Sequence, residues 1–129
     1  MDIKKDELIK KHSIIREELI NILNKEVTVY IDRPIGSLHP KHSDIIYKCN
    51  YGYIKEIIAC DKKYQDAYVL GINTPIKEFK GVIKAVIFRE DDIEDKLVVL
   101  PKDKLLNEKE IEDSISFIEK YFKHKIIIG

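Results

Sequence analysis

Two clusters of acidic side chains are the part of this sequence best suited to chemistry. The first consists of Asp61 and Asp66, at the two ends of a polar segment between two runs rich in β-branched and aromatic residues. Such runs indicate strands, so both aspartates are expected at a hairpin loop, where facing residues lie roughly 4.5–5.5 Å apart. Carboxylates that close repel each other unless a proton or a cation lies between them, and a hard cation such as Mg²⁺ prefers oxygen ligands. The second cluster follows another predicted strand and consists of Glu90, Asp91, Asp92, Glu94 and Asp95.

Cationic side chains near both clusters extend the chemistry. Arg33 lies at the end of a predicted strand, and Lys96 directly follows the second cluster. Carboxylates that hold divalent ions, together with cations that hold an anionic substrate, are what metal-assisted phosphoryl transfer requires. The plainer alternative is a set of solvated polar turns, since Asp is a common turn residue.

Composition limits the class of protein. A length of 129 residues suits one domain with one core, so we expect a single domain over residues 1–129. Lys and Arg number 23 and Asp and Glu also number 23, a balance that argues against a general nucleic-acid binder. Two cysteines, Cys49 and Cys60, do not indicate a disulfide framework. The N-terminus has no apolar signal-peptide core, and no run approaches the roughly 20 apolar residues of a membrane span, so we expect a cytoplasmic protein with no membrane partner.

Hydrophobic periodicity predicts the elements that position these residues. A helix is predicted within residues 1–24, with His12, Ile15 and Leu19 on its apolar face. Strands are predicted across residues 26–101, followed by a helix over 107–123 in which Asn107 and Glu110 form a capping-box pattern, and residues 126–128 can add a last short strand. Five or six strands in succession without intervening helices favour an antiparallel sheet or a small closed barrel over a parallel α/β sheet.

The loop after the first predicted strand is a further candidate for binding. It contains His39, Lys41 and His42, and two prolines, Pro34 and Pro40, make it rigid. One interpretation is a solvated loop, and the other is a basic flap that binds an anion.

Three strings of residues now carry a resemblance to a known family. They are NYGYI at 50–54, the segment 61–66, and EDKLVV at 94–99 before Pro101. Their order and approximate spacing resemble those of the soluble family I inorganic pyrophosphatases, over about residues 27–121. Asp32 and Arg33 resemble the family's Asp-Arg segment, and residues 117–121 resemble its C-terminal helix, whose tyrosine touches phosphate.

The resemblance implies both a fold and an activity. The fold is mainly β, of the α+β kind: a small five-stranded barrel of the OB type, with the N-terminal and C-terminal helices packed against it. The activity is hydrolysis of pyrophosphate to two phosphates, with Mg²⁺ as the cofactor and Mn²⁺ as the alternative. Since family members form dimers or hexamers, we also expect a homo-oligomer.

Site residues are carried over only where this sequence matches the family. The metal ligands implied are Asp61 and Asp66, with Asp91 or Asp92 and Glu94 or Asp95 as the further candidates. The residues implied to contact substrate are Arg33, Tyr51, Lys96 and Tyr121, joined by His39, Lys41 and His42 from the basic loop. The residues expected to act in catalysis are Asp66, near the attacking water, and Arg33, Lys96 and Tyr121, which stabilise the leaving phosphate.

Two departures from the family pattern keep other functions open. Lys63 stands where the family has a carboxylate between the two aspartates, and a predicted helix replaces the strand that carries the family's Lys-x-Glu pair. One alternative is therefore a catalytically impaired homologue that binds pyrophosphate or a nucleotide as a module. Another is a phosphohydrolase that acts on a different diphosphate, such as a nucleotide, which would require an open apolar wall near the site.

Overall fold

A computed structural model describes residues 2–90 and 92–129, and in the first helix it describes the side chains of Glu7 and of Lys10 onward. Asp91 therefore lies outside the described residues. The helices and strands are α1 Asp2–Asn21, β1 Glu26–Arg33, β2 Asn50–Ile58, β3 Tyr64–Val69, β4 Glu78–Arg89, β5 Lys96–Leu100, α2 Glu108–Glu119 and β6 His124–Ile128. None of the described helices combines the length and the apolar character that crossing a membrane requires.

Strand pairing closes five of the strands into a barrel. The order is β1-β2-β3-β5-β4, and β1 also pairs with β4, which joins the two ends of the sheet; β6 extends the sheet beyond β4. All neighbours are antiparallel except β3 and β5, which are parallel. The predicted OB-type α+β barrel with two helices is thus confirmed, and the one parallel pair is the feature that strand counting did not indicate.

The barrel wall has a packed layer on each side because its strands alternate apolar residues on both faces. Inside the barrel lies a buried cluster that includes Ile54, Ala67, Val69, Leu97 and Val99. Leu19 of α1 joins this cluster, so α1 packs with the apolar face predicted for it. Outside the barrel, α2 packs over a second cluster that includes Tyr51, Tyr68, Val98, Ile111 and Ile115.

Two local features fix these elements. At the start of α2 the Asn107 side chain accepts from the Glu110 amide, and the Glu110 carboxylate accepts from the Asn107 amide, so the predicted capping box is present. In β2, a Cβ at Gly52 would collide with the Tyr30 carbonyl on β1. Gly52 therefore permits the close backbone approach that brings β1 and β2 together beside the site.

Candidate functional site

A cavity of about 640 Å³ opens on the outer face of the barrel, between the loop after β1, the hairpin loop before β3 and the end of α2. We call it the central cavity. Among the described residues, its charged lining consists of Arg33, Lys41, Lys63, Arg89 and Lys96 against Asp44, Asp61, Asp66 and Glu94. A protein with no formal net charge thus gathers cations and carboxylates at one place.

Most of the residues predicted for the site lie around this cavity. Those that line it are Arg33, His39, Lys41, His42, Tyr51, Asp61, Asp66, Glu94, Lys96 and Tyr121. Asp92 and Asp95 are not part of the lining, and Asp91 is not described.

Strand register explains why residues far apart in sequence meet here. Directly opposed residues of neighbouring strands point to the same face of a sheet, and one such row runs from Arg33 through Tyr51 to Tyr68. The register of β1 against β2 shifts between Ile31 and Arg33, so Asp32 is an extra residue in β1. A bulge of this kind re-aims the following side chain, and here it directs Arg33 into the cavity.

The strongest polar contact in the cavity joins Lys96 and Asp66. Lys96 Nζ donates to Asp66 Oδ2 at 2.7 Å and to the Tyr51 hydroxyl at 2.9 Å. The Lys96 side chain is only 5% exposed, whereas that of Asp66 is 34% exposed. Burial raises the pKa of Tyr51 well above its usual value, and the negative charge of Asp66 adds to the effect, so this phenol stays protonated beside the ion pair.

Arg33 is held beside the rings of Tyr47 and Tyr51. Its Nη1 donates to the Tyr47 hydroxyl at 2.7 Å, and its guanidinium carbon lies 5.4 Å from the Tyr51 ring centroid. His39 stacks on Tyr47 with ring centroids 6.0 Å apart. Burial, followed by the charge of Arg33, lowers the pKa of His39, so the neutral imidazole is favoured beside this guanidinium.

A buried ion pair that sequence reasoning did not identify lies at the wall of the cavity, where Arg89 is part of the lining. Arg89 Nε and Nη2 donate to the two Glu119 carboxylate oxygens at 3.0 and 2.7 Å, and the Tyr68 hydroxyl donates to the same carboxylate at 2.6 Å. Burial opposes the charge of Arg89, but the bonds to Glu119 outweigh it and raise the pKa of this guanidinium. Each of the two residues directly follows apolar residues of its own element, Phe88 or Ile118, but nothing in the sequence pairs one with the other.

The second acidic cluster does not act as one group. Asp95 faces away from the cavity: its carboxylate accepts from Arg16 at 2.9 and 3.0 Å and lies 2.8 Å from His12 Nε2. Asp92 Oδ1 accepts from the backbone amides of Ile93 and Glu94 within its own turn. Asp92 and Asp95 are therefore bound to other groups of the chain, and their role as metal ligands stays a prediction, whereas Glu94 lies at the cavity, 3.7 Å from Arg89.

The donor types at the cavity suit a divalent cation, but their arrangement does not. Asp66 Oδ2 is occupied by Lys96, and Asp61 Oδ1 accepts from the Lys63 backbone amide at 3.0 Å. Among the described residues, no group of three or more His, Cys, Asp or Glu side chains is placed to hold a metal ion. The described residues therefore do not form a metal centre in this arrangement.

Compared by sequence, the chain matches no protein-family model and no curated protein. Compared by structure, it is similar to the inorganic pyrophosphatase of Ehrlichia chaffeensis, with a TM-score of 0.63 and 17% identity over 82% of this chain and 87% of that one. The enzyme of Coxiella burnetii gives a TM-score of 0.57 and 15% identity over 82% and 86% of the two chains. That of Helicobacter pylori gives 0.54 and 18% over 81% and 82%. At these identities the similarity shows the fold, and at that level it confirms the resemblance to inorganic pyrophosphatases.

Proposed function

We propose that this protein binds inorganic pyrophosphate in the central cavity and hydrolyses it to two phosphates. The observation that carries this proposal is that two cations, Arg33 and Lys96, line the same cavity, 5.4 and 5.6 Å from the Tyr51 ring centroid. A diphosphate presents oxygens on two linked phosphorus atoms, so a site with two separated cations complements it. The similarity in fold to bacterial inorganic pyrophosphatases supports the same substrate.

The chain's own residues supply distinct parts of the reaction. An ammonium group has three donors; Lys96 directs two of them at Asp66 and Tyr51, so the third can reach a phosphate oxygen. The guanidinium of Arg33 offers a planar fork that suits phosphate geometry. Asp66 Oδ1 is the oxygen that would accept a proton from the attacking water, and Tyr121, 60% exposed at the cavity rim, would donate to the departing phosphate.

The expected cofactor, Mg²⁺ or Mn²⁺, rests on the resemblance to the family. The carboxylates available at the cavity are Asp61, Asp66 and Glu94, and their oxygens are of the kind these ions prefer. Since the described residues do not converge on a metal position, no step of the reaction is derived through an ion. The assay below includes both metals for this reason.

A second candidate function is a module that binds pyrophosphate without turnover. It is favoured by Lys63, which lines the cavity between Asp61 and Asp66 in the sequence. A cation there neutralises carboxylates that would otherwise attract a metal ion or act as bases. Under this alternative the cationic groups retain the anion and the carboxylates only position the lysines.

The direct test is phosphate release from pyrophosphate with Mg²⁺ or Mn²⁺, in wild type and in Asp66→Asn. We expect turnover in wild type and a loss of about 10²-fold or more in the variant, since a general base contributes about that much. Asp113→Asn is the matched control because Asp113 is 70% exposed on α2. Binding of pyrophosphate without turnover would support the module instead, and the absence of both would contradict both functions.

The basic loop has a separate test. Lys41 and His42 line the cavity, which agrees with the hypothesis that the loop supplies the phosphate contacts missing from this chain. Replacing both residues by alanine should raise KM for pyrophosphate by about tenfold with little change in kcat, because such contacts bind substrate and transition state alike. Lys48→Ala is the control, since Lys48 is exposed nearby but lines a different cavity. An unchanged KM in the double variant would rule this hypothesis out.

A further inference from the structure

In the described part of the chain, three tyrosines form a strip on the outer face of the barrel beside the central cavity. Tyr53 stacks on Tyr64, with ring centroids 5.6 Å apart and ring planes inclined by 11°. The Tyr30 ring centroid lies 6.0 Å from that of Tyr53. The ammonium of Lys55 lies 4.3 Å from the Tyr30 centroid. We call Tyr30, Tyr53 and Tyr64 the aromatic strip.

The aromatic strip leads directly to the ion pair of the cavity. Tyr30 is opposite Tyr53, and Tyr53 is opposite Asp66, so these side chains share one row on one face of the sheet. Asp66 and Lys96 directly precede the paired residues Ala67 and Leu97 on adjacent strands. The row therefore passes from aromatic rings to the groups proposed to bind phosphate.

Tyr64 extends the strip on the hairpin side of the cavity. It precedes Asp66 by two residues on β3 and so projects from the same face, about 7 Å along the strand at about 3.4 Å per residue. Lys63, the residue before it, lines the cavity. One face of the Tyr64 ring is covered by Tyr53, yet Tyr64 as a whole is 47% exposed, so ring surface is left open for a ligand.

An exposed aromatic ring close to a site proposed to bind a diphosphate has the arrangement expected of a nucleotide-binding site. Nucleobases stack on aromatic side chains whatever their sequence, because every base has a π-face. A ribose covers the gap between a stacked base and its 5′-diphosphate. A single nucleotide suits this surface better than a nucleic-acid strand, because strands are bound along positively charged grooves and this chain has a formal net charge of zero.

We propose that the aromatic strip and the central cavity together bind a nucleoside diphosphate. The base stacks on Tyr64, and the diphosphate occupies the position between Arg33 and Lys96, where it competes with pyrophosphate. The diphosphate half of this inference rests on the proposed function, whereas the base half rests on the aromatic strip alone.

The test compares three ligands by isothermal titration calorimetry: ADP, methyl diphosphate, which lacks a base and a sugar, and pyrophosphate. We expect ADP to bind wild type at least about fivefold more tightly than methyl diphosphate, the lower end of what one stacked base contributes. Tyr64→Leu should remove this advantage while leaving the pyrophosphate Kd within about twofold. Tyr64→Phe keeps the ring and should keep the advantage.

The outcomes separate this inference from the function on which it rests. Pyrophosphate binding with equal affinities for ADP and methyl diphosphate would overturn the nucleotide site and leave the proposed function intact. An ADP advantage that survives Tyr64→Leu would also overturn it, because the base would then lie elsewhere. If wild type bound none of the three ligands, both proposals would fail. Unchanged pyrophosphate binding by Tyr64→Leu shows that this variant is folded.

Discussion

At the scale of single residues, Lys96 joins the structure of the barrel to the chemistry of the cavity. A buried ammonium is costly unless it is paired and hydrogen-bonded, and here Asp66 and Tyr51 satisfy it. The same arrangement aims a cation at the cavity and holds a carboxylate beside it. Arg33 and Lys96 both line this cavity, 5.4 and 5.6 Å from the Tyr51 ring centroid, so two positive charges are available to one ligand.

This role of Tyr51 can be measured through stability. Tyr51→Phe removes the hydroxyl that accepts from Lys96 Nζ in a buried position. A hydrogen bond to a charged group contributes about 1.5–3 kcal/mol, and we expect the free energy of unfolding to fall by about that amount in urea denaturation. Tyr64→Phe, at an exposed ring, should change it by no more than about 0.5 kcal/mol. Equal effects of the two substitutions would show that the Lys96 contact contributes nothing to stability.

At the scale of elements, the alternating direction of side chains at the start of β5 explains why Asp95, a predicted site residue, does not line the cavity. Successive side chains of an extended chain point to opposite faces, so Glu94 and Lys96 reach the cavity while Asp95 points away from it. Its carboxylate instead anchors α1 through Arg16 and His12, and Arg16 also lies over the Phe88 ring at 4.8 Å. Side chains that alternate in direction along residues 94–96 already predict that Asp95 points to the opposite face from Glu94 and Lys96.

The anchoring of α1 predicts a stability effect for Asp95→Asn. Breaking a buried ion pair costs about 3–5 kcal/mol, and because the Arg16 side chain is 28% exposed we expect the lower end, about 3 kcal/mol. Limited proteolysis should also show earlier cleavage within α1. Asp113→Asn, whose partner Lys109 is 3.9 Å away on the surface, is the matched control. A fully stable Asp95→Asn that no longer binds pyrophosphate would instead support the ligand role.

The contact between β6 and α2 predicts a pH dependence. His124 Nε2 lies 2.7 Å from Glu112 and its Nδ1 lies 2.9 Å from the Phe122 carbonyl. Burial alone would lower the pKa of His124, but these hydrogen bonds outweigh it and raise the pKa above the ordinary value of 6.5. A raised pKa in the folded state means that stabilisation is fully present below the unfolded pKa and is lost as pH rises through the folded pKa.

Comparing wild type with Glu112→Gln tests this contact. The difference in unfolding free energy should be largest just below pH 6.5 and should shrink as pH rises above it. Since the Glu112 side chain is 43% exposed, screening keeps the difference at or below about 1 kcal/mol. A difference that grows with pH would contradict the assignment.

At the scale of the whole molecule, the barrel uses both sides of its wall. Apolar residues fill the inside, and Leu19 of α1 packs with them, whereas α2 and the basic loop cover part of the outside and leave the central cavity between them. The cavity draws residues from β1, β2, β3 and β5, which are consecutive neighbours in the sheet, so it depends on the pairing of these strands. The strand register that forms the barrel therefore also places the side chains of the central cavity.

The sequence predicts what depends on neighbouring residues. Apolar residues that recur every three to four positions predict α1 and α2, and the capping box at Asn107 marks where α2 begins. The order of the three strings that resemble the pyrophosphatase family indicates the OB-type barrel. Pairings over long sequence separations leave no such local pattern, which is why the parallel pair of β3 with β5 and the ion pair of Arg89 with Glu119 were not predicted. The strip formed by Tyr30, Tyr53 and Tyr64 likewise depends on register.

The measurement that tests the central claim most directly is calorimetric titration of pyrophosphate into wild type, Lys96→Gln and Lys80→Gln without divalent metal ions, so that binding is measured without hydrolysis. Glutamine preserves most of the side-chain length but removes the charge at the cavity, whereas Lys80 pairs with Glu26 on the surface and is 70% exposed. We predict that Lys96→Gln raises the Kd by at least about tenfold, or ~1.4 kcal/mol, and that Lys80→Gln leaves it unchanged. Equal affinities for all three proteins would contradict the placement of pyrophosphate in the central cavity.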